Sequence, residues 1–344
     1  MKPQTLQKTA LALLVGWYAA NAAAYSEQGQ AGNTKSWESA EYLKDWGLTS
    51  MNASTAYALG FNGSGVKIGV MDSGVLLNHP EFQDGRIHVV KTEGTYSKDG
   101  MRYPDASVGN GPINKNEPVK NGKRNFDKTD NGIFTKGEAF NIDGAWHKYT
   151  NDAHGTHVGG TMAASRDGNE MHGVAFGANL YSANTGGNDN MTYGPNQDYD
   201  FFLQGYSALA DAGAKVINNS WGSNRRVNSS FAGALGYKPK YDWRDVPEYG
   251  VQYYDVPKAP EPISSPAAHI YLSNLGEAEK AYYQFVTSGE KNFVDAAYEV
   301  AKNKQVIQVF TAGNRSMMAE SFTRAMLPYF RPDAEKYWVN VTGQ

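Results

Sequence analysis

Short apolar runs bounded by glycine and polar residues alternate along this chain with segments whose apolar residues recur every three or four positions. Val66-Lys67-Ile68-Gly69-Val70-Met71 follows a Gly63-Ser64-Gly65 turn and predicts a buried strand that ends at Asp72-Ser73-Gly74. Phe202, Tyr206, Leu209 and Gly213 recur at helical spacing, and Lys215-Val216-Ile217-Asn218-Asn219-Ser220 then reads as a strand. The unit repeats with Phe293, Ala297 and Val300 followed by Gln305-Val306-Ile307-Gln308-Val309-Phe310. A last strand is predicted over Tyr337-Trp338-Val339-Asn340-Val341-Thr342. Strands alternating with helices predict an α/β fold built on a parallel sheet.

Three stretches interrupt this rhythm. Residues 25–60 are polar, carry Trp37 and Trp46, and read as an N-terminal extension ahead of a domain at 61–344. Residues 83–150 are rich in Gly, Asn, Asp and Lys and read as a long loop-like insertion. Residues 224–290 are polar, hold six of the fourteen prolines and read as a second insertion, with a short helical stretch near 275–287. Between them, His154 to Ser165 is dominated by Gly155, Gly159, Gly160, Ala163 and Ala164. So many small residues suit a helix pressed closely against other elements.

Composition narrows the class. Of 344 residues, 40% are hydrophobic and 19% charged, a globular balance. The net charge of −3 offers no basic excess for nucleic acid. The absence of cysteine excludes disulfides, thiolate catalysis and cysteine-ligated zinc. Residues 1–24 resemble a secretory signal: Lys2 and Lys8 are basic, Leu11 to Trp17 is a short apolar run, and Ala22 and Ala24 give a small-x-small cleavage pattern. The chain is therefore expected to be exported, to the cell surface or beyond. No later segment is apolar enough to cross a membrane.

Polar signatures sit just past predicted strand ends, where ligands bind in open parallel sheets. Asp72 follows the first strand, Asn219-Ser220-Trp221-Gly222 the middle one, and Thr311-Ala312-Gly313-Asn314 the late one. His154 opens the small-residue helix. Taken singly, each has an ordinary reading. Asp72 before Ser-Gly suits an Asx-turn, and Asn314 suits a turn. His154 and His157, three apart on one helix face, suit core histidines or a metal pair, but the H-E-x-x-H pattern is absent and no third ligand is evident.

Together and in this order they resemble the subtilisin-like serine proteases. Val70-Met71-Asp72-Ser73-Gly74-Val75 is similar to that family's aspartate motif, and His154-Gly155-Thr156-His157-Val158-Gly159-Gly160 to its histidine motif. Ser220, Trp221 and Gly222 resemble its substrate-binding strand, and Asn314 its oxyanion-hole residue. The resemblance covers about residues 60–344 outside the two insertions. It implies a subtilisin-like parallel sheet with helices on both faces, its C-terminal part missing. It also implies polypeptide substrates and an Asp-His-Ser triad. His154 would be the general base and then acid, Asp72 would hold its tautomer, and Asn314 would donate to the oxyanion, worth about 3 kcal/mol. Trp221 stands where smaller apolar residues are common and is expected to line a substrate pocket.

The family's nucleophile motif, Gly-Thr-Ser-Met-Ala, does not occur between Asn314 and Gln344. Ser50, in Gly47-Leu48-Thr49-Ser50-Met51, has an extra residue and precedes the aspartate strand, which breaks the chain order. The expectation is therefore a truncated protease, inactive alone, with an apolar face left uncovered. An exported peptide-binding protein or pseudoprotease is the alternative class. The signal, the missing cysteines and the Trp-Gly-Leu-Thr-Ser-Met extension place the resemblance nearest the autotransporter type of Gram-negative bacteria. Membrane contact is then expected only through a missing C-terminal translocator. No metal site or cofactor is implied beyond calcium as a structural ion, for which no complete loop pattern is present.

Overall fold

The computed structural model describes residues 29–97, 100–101, 133–146, 153–185, 198–221, 243–246, 251–254, 293–311 and 327–341. The signal-like start, Gly222, Asn314 and the expected helix near 275–287 lie outside them. The chain divides into two compact units, Met1–Gly65 with Gly160–Ala178, and Val66–Gly159 with Asn179–Gln344.

In the first unit the polar extension forms three short helices, α1 Ala40–Lys44, α2 Trp46–Ser50 and α3 Ala53–Ala58. Helices this short have no stable existence by propensity alone, so caps and packing hold them. The Ser39 side chain accepts from the Tyr42 amide, and Asp45 Oδ1 accepts from the Gly47 amide at 2.7 Å. The buried Tyr42 hydroxyl donates to the Leu48 carbonyl and accepts from the Ser54 amide. Tyr42, Leu48, Ala53 and Tyr57 form the core, with Trp37, Val174 and Phe176 against it. The fully buried Glu41 accepts from the Asp167 and Gly168 amides, both at 3.1 Å.

The second unit is built on a six-stranded sheet of parallel pairs. Its strands are β1 Lys67–Asp72, β2 Ile87–Val89, β5 Asn179–Asn184, β6 Val216–Asn219, β7 Ile307–Thr311 and β8 Trp338–Val341. Their spatial order is β8-β7-β6-β1-β5-β2. The chain runs to one side of β1 first and to the other side afterwards, so β1 is the switch point. Crossover helices are α5 Tyr199–Asp211 and α6 Phe293–Lys304, while α4 is His154–Ala163. The buried Asp198 caps α5 through the Phe201 amide and also accepts from the Ser97 amide and hydroxyl.

Residue parity shows helices on both faces. Ala183 of β5 joins Met71, Phe202, Tyr206, Ile217 and Phe310 in the main core, on the α5 and α6 side. Leu180, an odd number of residues away, faces the other side. There a Cβ on Gly159 of α4 would sit 3.2 Å from it.

The predicted helices and strands at 66–71, 202–213, 215–220, 293–300, 305–310 and 337–342 are all present, the strand ends moved by a residue or two, α5 starting three residues earlier and α6 running four residues further. The late strand begins at Ile307 because Gln305 takes a left-handed conformation, φ 56°, that turns the chain out of α6. Residues 83–150 differ more from their loop-like reading. They supply β2 to the main sheet and an antiparallel pair, β3 Lys91–Thr95 with β4 Ala139–Asp143. Within 224–290, Trp243–Val246 pairs antiparallel with Val251–Tyr254. At the sheet's β8 edge Val339 and Val341 are exposed.

His172 gives the first unit a pH dependence. It is fully buried among the rings of Tyr42, Tyr57 and Phe176, at 5.0 to 6.1 Å. Its Nδ1 donates to the Gly173 carbonyl at 2.9 Å, and its Nε2 has no partner among the described residues. Burial, followed by the Arg166 charge, pulls its pKa below the ordinary value against the Gly173 bond and Asp45. The folded state thus prefers neutral imidazole, and unfolding takes up a proton below about pH 6.5. Stability is level above that pH and falls as the pH drops toward the lowered value. Protection factors of residues 40–58, that is the intrinsic exchange rate at each pH divided by the observed rate, are expected to fall on acidification through this window, and His172→Phe to remove up to about one proton of that dependence. An unchanged pH profile in the variant would contradict the assignment.

Candidate active site

Asp72 ends β1 at the switch point and is wholly buried. Its carbonyl accepts from the Thr185 amide at 2.7 Å, and its Oδ1 from the Ser73 amide at 2.7 Å. The same Oδ1 lies 2.8 Å from His154 Nδ1. A carboxylate accepts only, so Nδ1 carries the proton when the imidazole is neutral, and the lone pair is on Nε2. The histidine side chain keeps 34% of its exposure while the carboxylate has none. One nitrogen is thereby tied to a buried anion, and the ring itself reaches the surface.

The local sequence makes this contact. α4 begins at His154, and its first turn is latched to the loop leaving β1. The Gly155 amide donates to the buried Ser73 Oγ at 2.8 Å, and the Leu76 amide to Thr156 Oγ1 at 2.9 Å. Both glycines are needed for the approach. A Cβ on Gly155 would lie 2.5 Å from the Gly74 carbonyl oxygen, and one on Gly74, φ 87°, 2.4 Å from that of Ala145. Ser73 is the residue that sequence reasoning passed over. Its place in Asp-Ser-Gly is a signal for a turn, and its contact to the helix start is visible only in three dimensions.

The second predicted signature leaves the same sheet edge. β6 pairs with β1 up to Val70↔Asn218, and β7 with β6 up to Phe310↔Asn219. The buried Asn219 side chain accepts from the Tyr206 hydroxyl at 2.8 Å and donates to Gln308 Oε1 at 3.1 Å. Ser220 Oγ accepts from Asn218 Nδ2 at 2.8 Å. Trp221 differs from its expected place as a pocket wall. It is 3% exposed, packed on Phe202 and Phe293, with its indole N–H donated to the Met71 carbonyl at 2.6 Å. The aromatic core behind β1 takes the large ring, which a smaller apolar residue would leave unfilled. β7 ends at Thr311 on this edge, and Asn314 and Gly222 lie beyond the described residues. His157 is exposed on α4. Among the described residues no three His, Cys, Asp or Glu side chains gather as a metal site.

Residues 63–343 match the model of the subtilase family (Peptidase_S8), and the chain belongs to that family. It is 29% identical over 344 residues to the "Extracellular serine protease" of Serratia marcescens, covering 98% of this chain and 26% of that protein. It is also 29% identical over 275 residues to "Bacillopeptidase F" of Bacillus subtilis, covering 75% of this chain and 16% of that protein. Among solved structures it is similar to fervidolysin from Fervidobacterium pennivorans, described as a keratinolytic enzyme related to subtilisin. That match has 18% identity and a TM-score of 0.38, and covers 85% of this chain and 27% of the other. The chain spans about a quarter of the length of the Serratia relatives.

Gly155→Ala is expected to cost roughly 1–3 kcal/mol, because the added methyl meets backbone that has nowhere to go. Gly160→Ala on the same helix meets nothing within 4 Å and should be neutral or stabilising by up to about 1 kcal/mol. Thermal melts of the pair check this. Equal melting temperatures would contradict the tight approach of α4 to the loop after β1.

Proposed function

We propose that this chain carries the base and its aspartate for a serine-type endopeptidase. The observation that carries the reading is the 2.8 Å contact between His154 Nδ1 and the buried Asp72 at the switch-point edge. In this reading His154 Nε2 takes the serine hydroxyl proton as the oxygen attacks the peptide carbonyl. It then returns that proton to the leaving amine as the C–N bond breaks. Asp72 stays ionised and stabilises the imidazolium. Asn314 donates its amide to the oxyanion, and the backbone of Ser220, Trp221 and Gly222 takes an extended polypeptide as an added strand.

The nucleophile is not supplied by residues 315–344, which lack Gly-Thr-Ser-Met-Ala. The 344 residues alone are therefore proposed to be inactive as a protease. Export is supported by the signal-like start and by the name of the Serratia relatives. The autotransporter type is supported by the same start and the absence of cysteine. No helix among the described residues is long and apolar enough to cross a membrane.

Hydrolysis of casein by these residues alone is expected about a millionfold below that of a complete subtilase. In a form that continues into a Gly-Thr-Ser-Met-Ala segment, Asp72→Asn should lower kcat by about ten-thousandfold. Turnover that survives both Asp72→Asn and His154→Ala would overturn the reading. Peptide binding without turnover in that longer form would favour a non-catalytic peptide-binding protein instead.

A further inference from the structure

The β1–β6 ladder ends at Val70↔Asn218, one residue short of Met71. Beyond that pair the two strands serve different ends of the site. β1 goes on to Asp72, and β6 runs into Ser220 and Trp221. The Met71 carbonyl is taken by a side chain: the Trp221 indole N–H, at 2.6 Å. The indole therefore acts as one further rung between strands whose backbones have stopped pairing.

The surroundings allow this rung little play. Trp221 is 3% exposed, with ring centroids 5.6 Å from Phe202 and 5.0 Å from Phe293. Met71 is fully buried, and a Cβ on Gly205 of α5 would lie 2.8 Å from its Cε. On the next peptide, the Asp72 carbonyl is held from the β5 side by the Thr185 amide. The two peptides flanking the Asp72 Cα are thus held from opposite sides, the Met71–Asp72 peptide by an indole and the Asp72–Ser73 peptide by a backbone amide.

We infer that Trp221 is a positioning residue: its indole N–H sets the distance from the edge at Ser220 and Trp221 to Asp72, and through Asp72 the orientation of His154. This rests on the peptidase reading above and deepens it. Its substance is that a residue in the substrate-binding segment acts on the triad acid rather than on side-chain preference. This buried indole-to-carbonyl hydrogen bond is lost only at the cost of an orphaned Met71 carbonyl.

The test uses the 344-residue chain and three variants. In the first, Trp221 is replaced by its benzothienyl isostere, which has sulfur in place of the indole N–H. The others are Trp221→Phe and Leu209→Ala, the last a change in the same core at a buried residue of α5. Two readouts are taken, the low-field proton resonance of His154 Nδ1–H and the affinity for an extended substrate-like peptide. The isostere and Trp221→Phe are expected to shift or broaden the Nδ1–H resonance and to weaken the peptide about tenfold. Leu209→Ala should lower the melting temperature by several degrees and leave both readouts unchanged. If the isostere and Trp221→Phe lower only the melting temperature, as Leu209→Ala does, Trp221 is a core residue and the inference is overturned. If the unsubstituted chain shows no Nδ1–H resonance sensitive to Asp72→Asn, the peptidase reading itself fails and takes the inference with it.

Discussion

A carboxylate with no exposure to water must be met by donors, and Asp72 has few to draw on. Its Oδ1 takes the Ser73 amide and the His154 imidazole, and ionised it would be costly to bury without them. The rest of the second unit can be understood as the means of delivering those donors. The parallel sheet brings the end of β1 to its centre. The small residues of α4 let a helix start within hydrogen-bonding reach of the turn that follows. The imidazole arrives with a fixed tautomer, which is the condition for a base whose other nitrogen accepts a proton.

The latch that fixes the helix start consists of backbone and hydroxyl groups. Ser73 Oγ and Thr156 Oγ1 each accept an amide hydrogen across the β1–α4 junction, so His154 is held from its own backbone as well as from its ring. The same economy recurs at the other side of β1. There a side chain, Trp221, completes a ladder that the backbones leave off, and the Tyr206–Asn219–Gln308 chain ties β6 to β7 inside the core. Polar groups buried in this way hold a geometry only when every member is satisfied.

The elements that sequence made legible are those in which burial is one-sided and strongly apolar. β1, β6 and β7 carry Val, Ile and Met runs, and α5 and α6 carry apolar residues at helical spacing. β5 was not legible: Asn179-Leu-Tyr-Ser-Ala-Asn has too little apolar character, because Ser182 is buried by donating its hydroxyl to the Gly144 carbonyl. β3 was hidden for a related reason, since only Thr92 of Lys91–Thr95 is buried. The helices at 40–58 are too short for a period to show, and their caps at Ser39 and Asp45 were the available signal. At the site, Asp72 and His154 were found by motif, whereas the burial of Trp221 depends on aromatic residues from α5, α6 and β7 that sequence does not bring together.

A base at this site requires that His154 hold its proton on Nδ1 against Asp72 and keep the Nε2 lone pair for chemistry. The direct measurement is nitrogen-15 NMR of labelled histidine in the 344-residue chain near neutral pH. A neutral His154 with hydrogen on Nδ1 and none on Nε2, reverting to a mixed tautomer in Asp72→Asn, is the predicted result. A His154 that is Nε2-protonated in the unsubstituted chain, or indifferent to Asp72→Asn, would contradict it.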